Sequence, residues 1–112
     1  MPSLQDVYDA LKELGYPVAY HHFNKPPGSV PYIVYYTEGY RPSFADGLNY
    51  FNRIPLTIEL YTSVKDFDAE EDVELALTEL DLAYTKEEVW IEEEQIYELI
   101  YETEVFNSGQ QN

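Results

Sequence analysis

The stretch Ile54 to Leu82 constrains the fold most, because its polarity changes period once and does so at a turn. Ile54, Leu56, Ile58, Leu60, Thr62 and Val64 alternate with Pro55, Thr57, Glu59, Tyr61 and Ser63, the period of two of a half-buried strand. Asp66-Phe67-Asp68-Ala69-Glu70-Glu71 then reads as a helix start, with Asp68 as N-cap and Glu71 reaching back to complete a capping box. Val73, Ala76, Leu77 and Leu80 follow at helical spacing, so the helix is expected to lay that stripe on the strand's apolar face.

Around this unit the chain supplies a second helix and more strands. Ser3 caps a first helix whose stripe is Leu4, Val7, Tyr8, Leu11 and Leu14, stopped by Gly15 and Pro17. Pro17 to Phe23 reads as a short strand and Pro31 to Glu38 as a second, separated by the proline- and glycine-bearing Asn24 to Ser29. Thr85 to Phe106 holds two more, joined at Glu92-Glu93-Glu94-Gln95 by a loop wider than two residues. In the last strand Tyr97, Leu99, Tyr101, Thr103 and Val105 are assigned to the core, and Ile96, Glu98, Ile100, Glu102 and Glu104 to the other face. The order α-β-β-β-α-β-β predicts an α+β domain over residues 1–106, an antiparallel or mixed sheet of five strands with two helices on one face. Asn107 to Asn112 is read as a flexible polar tail.

Gly39 to Arg53 is the least regular part. Asp46-Gly47 signals a hairpin, so strands two and three are expected to run past the sheet as an arm carrying Tyr40, Arg41, Phe44, Tyr50, Phe51 and Arg53. Either a neighbour orders this arm, since a lone ribbon is marginal in water, or it packs back on its own domain.

Charge narrows the function classes. There are 22 acids against 6 bases, and residues 66–112 hold 16 of those acids with Lys86 as their single base. A field of that sign repels nucleic-acid phosphates and anionic membranes, which argues against a nucleic-acid binder. The absence of cysteine excludes a disulfide framework and any thiolate metal site, and fits a reducing cytoplasm. No apolar run approaches the roughly 20 residues of a membrane span, and no signal peptide is read at the N-terminus, so the protein is expected to be made where it acts.

Candidate chemistry is sparse, and no cofactor is expected. His21 and His22, adjacent in a strand, would point to opposite faces and share no metal. Asp66, Asp68 and Glu70 alternate like a calcium loop, but Glu71 stands where such a loop needs glycine and Leu77 where it needs a bidentate glutamate. Glu92 to Glu94 and Glu98, Glu102 and Glu104 supply carboxylates for glycoside hydrolysis in principle, yet glutamate at every second strand position is how a solvated sheet face reads. With no nucleophile elbow and no phosphate-cradling glycine loop, the chain is expected not to be an enzyme.

Apolar side chains in exposed places suggest contacts instead. Leu75 and Leu82 lie opposite the buried stripe on a helical wheel, and with Val89 and Ile91 in the core, Trp90 faces outward beside Ile96 and Ile100. These are two interfaces of a head-to-tail assembly, or surfaces that loops of the same chain cover.

Phe44-Ala45-Asp46, Tyr50, Ile58-Glu59-Leu60-Tyr61-Thr62, Lys65-Asp66, Glu71, Val73-Glu74, Leu77 and the closing Glu94 to Val105 with Tyr97 and Tyr101 resemble the small tail-completion or tail-terminator proteins of long-tailed bacteriophages and prophages. The resemblance implies a structural virion protein that forms a homo-oligomeric ring, often a hexamer, at the head-proximal end of the tail. Its partners would be the tail-tube protein and head-connector proteins, with DNA only passing through and no membrane involved. Glu98, Glu102 and Glu104 would then line an acidic lumen. A different small head-tail connector is the neighbouring alternative. A DNA mimic, the remaining one, needs carboxylates spaced like phosphates over an unbroken surface, whereas these acids share faces with Trp90, Ile96 and Ile100.

Overall fold

The computed structural model describes residues 2–25, 27–37 and 53–106. Its elements run α1 (Leu4–Lys12), β1 (Val18–Tyr20), β2 (Tyr32–Thr37), β3 (Arg53–Thr62), α2 (Phe67–Glu79), β4 (Thr85–Ile91) and β5 (Ile96–Phe106). The five strands form one mixed sheet in the order β1-β2-β3-β5-β4, with β1 parallel to β2 and every other pair antiparallel. The chain therefore has the α+β fold expected of it. The proposed arm residues Tyr40, Arg41, Phe44, Tyr50 and Phe51 lie outside the described residues, as does the 107–112 tail.

β3 and β5 form the spine, pairing without a break from Arg53↔Phe106 to Thr62↔Tyr97. Their inward side chains Ile54, Leu56, Ile58, Leu60, Leu99, Tyr101 and Val105 join Val7 and Leu11 of α1 and Ala69, Val73 and Leu77 of α2 in one core. Both helices thus cover the same sheet face. Each such aliphatic side chain contributes about 1.5–3 kcal/mol when taken out of water, so this layer is the main source of stability.

The first helix starts as its cap residue requires. Ser3 Oγ accepts from the Asp6 amide at 3.2 Å, and Asp6 Oδ2 accepts from the Ser3 amide at 2.9 Å, a reciprocal capping box. Gly15, at φ +95°, then turns the chain toward β1.

Four local expectations are corrected. The N-cap of α2 is Asp66, whose Oδ1 accepts from the Ala69 amide at 3.0 Å, and not Asp68. The earlier start puts Glu70, Val73 and Leu77 on the buried side together. β3 ends at Thr62, so Val64 leaves the core face and is exposed. β1 stops at Tyr20 because His21 adopts φ +70°, a left-handed conformation that no strand continues.

The fourth concerns Leu82, expected on the helix surface and instead buried in the core. α2 ends in a Schellman turn, with Asp81 at φ +61° donating its N–H to Thr78 O at 2.9 Å and Leu82 donating to Leu77 O at 3.0 Å. The reversal brings Leu82 back over Leu77, the apolar contact that accompanies this cap. A helical wheel carried past Glu79 misplaces it.

Candidate functional site

With the helices on one side, the other face of the sheet carries the acidic side chains. The register places Glu98, Glu102 and Glu104 of β5 on this face together with Glu59 of β3 and Glu87 of β4. Glu59 and Glu87 flank Ile100 from either side, so the carboxylates stagger around it. Arg53, at the start of β3, lies 3.8 Å from Glu104 in a solvent-exposed ion pair.

β4 meets β5 with a parity opposite to that expected. Trp90 pairs with Tyr97 and Glu88 with Leu99, so Trp90 stands on the helix-covered side, its ring 4.8 Å from that of Tyr97. Val89 and Ile91 share the open face with Ile96 and Ile100 instead. The separation expected between Trp90 and Tyr97, and its grouping with Ile96 and Ile100, are both overturned. Charge explains the parity. Lys86 and Glu88 must reach the helix layer, where Lys86 Nζ lies 2.8 Å from Glu70 Oε1 and 2.7 Å from Glu74 Oε2, and Lys65 Nζ lies 2.6 Å from Glu88 Oε1.

Glu70 is the centre of that network and is 3% exposed. Burial pushes its carboxyl up, but Lys65 at 2.7 Å and Lys86 at 2.8 Å outweigh burial and hold it below the ordinary carboxylate range. Tyr101 donates to Glu74 at 2.8 Å, and Tyr16 to Asp72 at 2.7 Å. Burial and that acceptor raise Tyr16 to about 12. The bonds of this cluster tie α2 to β4, β5, the β3–α2 connection and the α1–β1 connection, and Lys65 also reaches β4 through Glu88, which makes the cluster a fastening of the fold. Asp66, Asp68 and Glu70 accordingly have separate surroundings, as helix cap, exposed surface and buried ion-pair acceptor.

On the open face a groove of about 430 Å³ lies between His21, His22, Phe23 and Pro27 on one side and the sheet on the other, near the β4–β5 turn. Phe23, Tyr32 and Tyr61 form an aromatic run on it, with Tyr32 stacked on Tyr61 at 4.9 Å and Phe23 edge-on to Tyr32 at 5.6 Å. Glu59 and Glu94 also line it. Tyr61 Oη lies 2.8 Å from Glu59 Oε1 and 3.0 Å from Glu98 Oε2, and a phenol has one hydrogen to give. Burial, then the neighbouring Glu59 charge against the pull of the Tyr61 hydroxyl, leave Glu98 above the ordinary carboxylate range.

His21 and His22 come together at this groove, with Nδ1 atoms 3.0 Å apart and one ring donating to the other. The left-handed His21 backbone makes this possible, where a strand would have sent the rings to opposite faces. Among the described residues no three His, Asp or Glu side chains converge as metal ligands.

Compared with known proteins, the chain matches no family model and no curated protein.

The exposed apolar side chains lie away from the acidic face. Leu75 is 51% exposed on the back of α2, as expected, and Trp90 is 42% exposed. Phe67 and Val64, which sequence reasoning passed over as contact residues, are more exposed still at 71% and 65%. Lys65 Nζ lies 5.0 Å over the Phe67 ring while bonding Glu88, two residues before Trp90, so Phe67, Lys65 and β4 lie together. The signal for Phe67 was its place at the first helical position, directly after the Asp66 cap, where a side chain faces away from the buried stripe.

Proposed function

We propose that the chain is a structural subunit of a phage or prophage virion, the tail terminator, closing with copies of itself into a ring at the head-proximal end of the tail tube. The observation that carries this reading is the placement of the most exposed apolar groups: Phe67, Leu75 and Trp90 stand on the helix side, while the open sheet face carries Glu59, Glu87, Glu98, Glu102 and Glu104. Two copies cannot pack acidic face to acidic face without strong repulsion, so association through Phe67, Leu75 and Trp90 leaves the sheet face toward a lumen. Glu98, Glu102 and Glu104 would line that channel and let DNA slide without adhering. The resemblance in the strand–turn–helix and closing strand supports the same role, in which the tail-tube protein binds one side of the ring and head-connector proteins the other. The work is done by interfaces and no reaction is assigned.

A tube-growth assay tests the role. Added to growing tubes of a phage tail-tube protein, the chain is expected to bind one end and stop elongation there. Tubes that lengthen at an unchanged rate, with no added density at either end, contradict it.

A further inference from the structure

The groove on the open face differs from the rest of the acidic surface. Around Glu102 and Glu104 the carboxylates are exposed to water, whereas Glu59 is half-buried and, with the exposed Glu94, lines a groove that also holds the Phe23, Tyr32 and Tyr61 rings. Aromatic faces and carboxylates together suit one kind of group, a cation with an apolar stem, which gains from ring quadrupole and charge at once. Glu59 also accepts from Tyr36 at 3.3 Å, but the single Tyr61 hydrogen is shared between Glu59 and Glu98, and each carboxylate has about four lone-pair sites, so acceptor capacity remains there.

Among the described residues, a second copy of this chain has little to place in it. Lys65 and Lys86 are held by Glu70, Glu74 and Glu88, and Arg53 is beside Glu104. Lys12 lies over the Tyr8 ring on α1, Lys25 belongs to the segment beside the groove, and Arg41, the sixth base, lies outside the described residues. With 22 acids against 6 bases in each copy, net charge sets one copy against another, and complementarity favours a different molecule.

We propose that this groove is the docking point for a lysine- or arginine-bearing segment of a different protein, whose cation enters along Phe23, Tyr32 and Tyr61 to meet Glu59 and Glu94. Burial and the charges of Glu94, Glu98 and Glu59 all raise the Tyr32 hydroxyl, so their negative field reaches the ring stack. The groove lies within one subunit and is present whether or not a ring forms.

The test is an NMR titration of the full chain with tri-arginine amide, and with tri-citrulline as the uncharged control. Saturable shifts at Phe23, Tyr32, Tyr61 and Glu94 are expected with arginine alone. Glu94 is exposed in the β4–β5 loop, so Glu94→Gln is expected to keep the fold and weaken binding about tenfold, the loss of one charge-assisted contact. Tyr32→Leu, checked for folding by its amide spectrum, is expected to weaken it as well. Unsaturable shifts spread equally over Glu102 and Glu104 overturn the proposal, because attraction would then be to acid in general. Affinity unchanged by Glu94→Gln overturns it too, as does movement of the same resonances on self-association without peptide.

Discussion

Glu70 shows how one side chain reports on the whole arrangement. It is buried, it is ion-paired to Lys65 before α2 and to Lys86 of β4, and its carboxyl is held low by them despite burial. A group whose folded pKa is lowered contributes stability that is present above its unfolded value and lost as pH falls through the folded one. Glu70→Gln is therefore expected to cost about 2 kcal/mol near neutrality, the low end for a buried pair because both lysines are partly exposed. Urea melts at several pH values check this. The gap between the two proteins should close as pH drops below the ordinary value of 4.5, and a gap that stays constant into acid would place the stabilisation elsewhere. Two leucines seven residues apart give the complementary case. Leu82→Ala is expected to lose about 3 kcal/mol of fold stability through the cavity it leaves. Leu75→Asp and Trp90→Ala are expected to lower self-association more than monomer stability, read by sedimentation beside thermal melts. Equal loss of both would make them core residues. Leu75 was legible from the helical wheel, and Leu82 was not, because Asp81 rather than glycine takes the left-handed position that ends the helix.

At the scale of elements, long periodic segments were legible and short charged ones were not. β3 and β5 alternate over enough residues that one face had to be apolar, and the core faces came out as read from Ile54 to Thr62 and from Tyr97 to Val105, Val64 excepted. β4 misled because Val89 and Ile91 are its most apolar residues, yet the strand is at the sheet edge where reaching Glu70 and Glu74 with Lys86 decides the parity. The His21–His22 pair was illegible for a similar reason, since nothing in the sequence announced the positive φ that ends β1. The start of α2 offered two aspartates. Asp66→Ala is expected to lower stability by about 1 kcal/mol, the worth of an N-cap, and Asp68→Ala by a few tenths at most. Chemical denaturation of the two variants decides between them, and the reverse order would restore Asp68 as the cap.

For the whole molecule, net charge and shape act together. A subunit of net charge -16 repels its copies, and the repulsion is screened beyond roughly 8 Å at physiological salt. Contact through the helix side and repulsion across a sheet face together favour an assembly that turns its acidic faces to open space. The strand edges fit this, because β1 has three residues and β4 carries Lys86, Glu87 and Glu88, which discourages indefinite sheet extension. The central claim is that copies close into a ring, and native mass spectrometry across micromolar concentrations, with negative-stain images of the largest species, tests it most directly. A single discrete oligomer with a central hole, persisting as salt is raised, is the expected result. A monomer at every concentration, with the tail-tube protein present as well as absent, would contradict it.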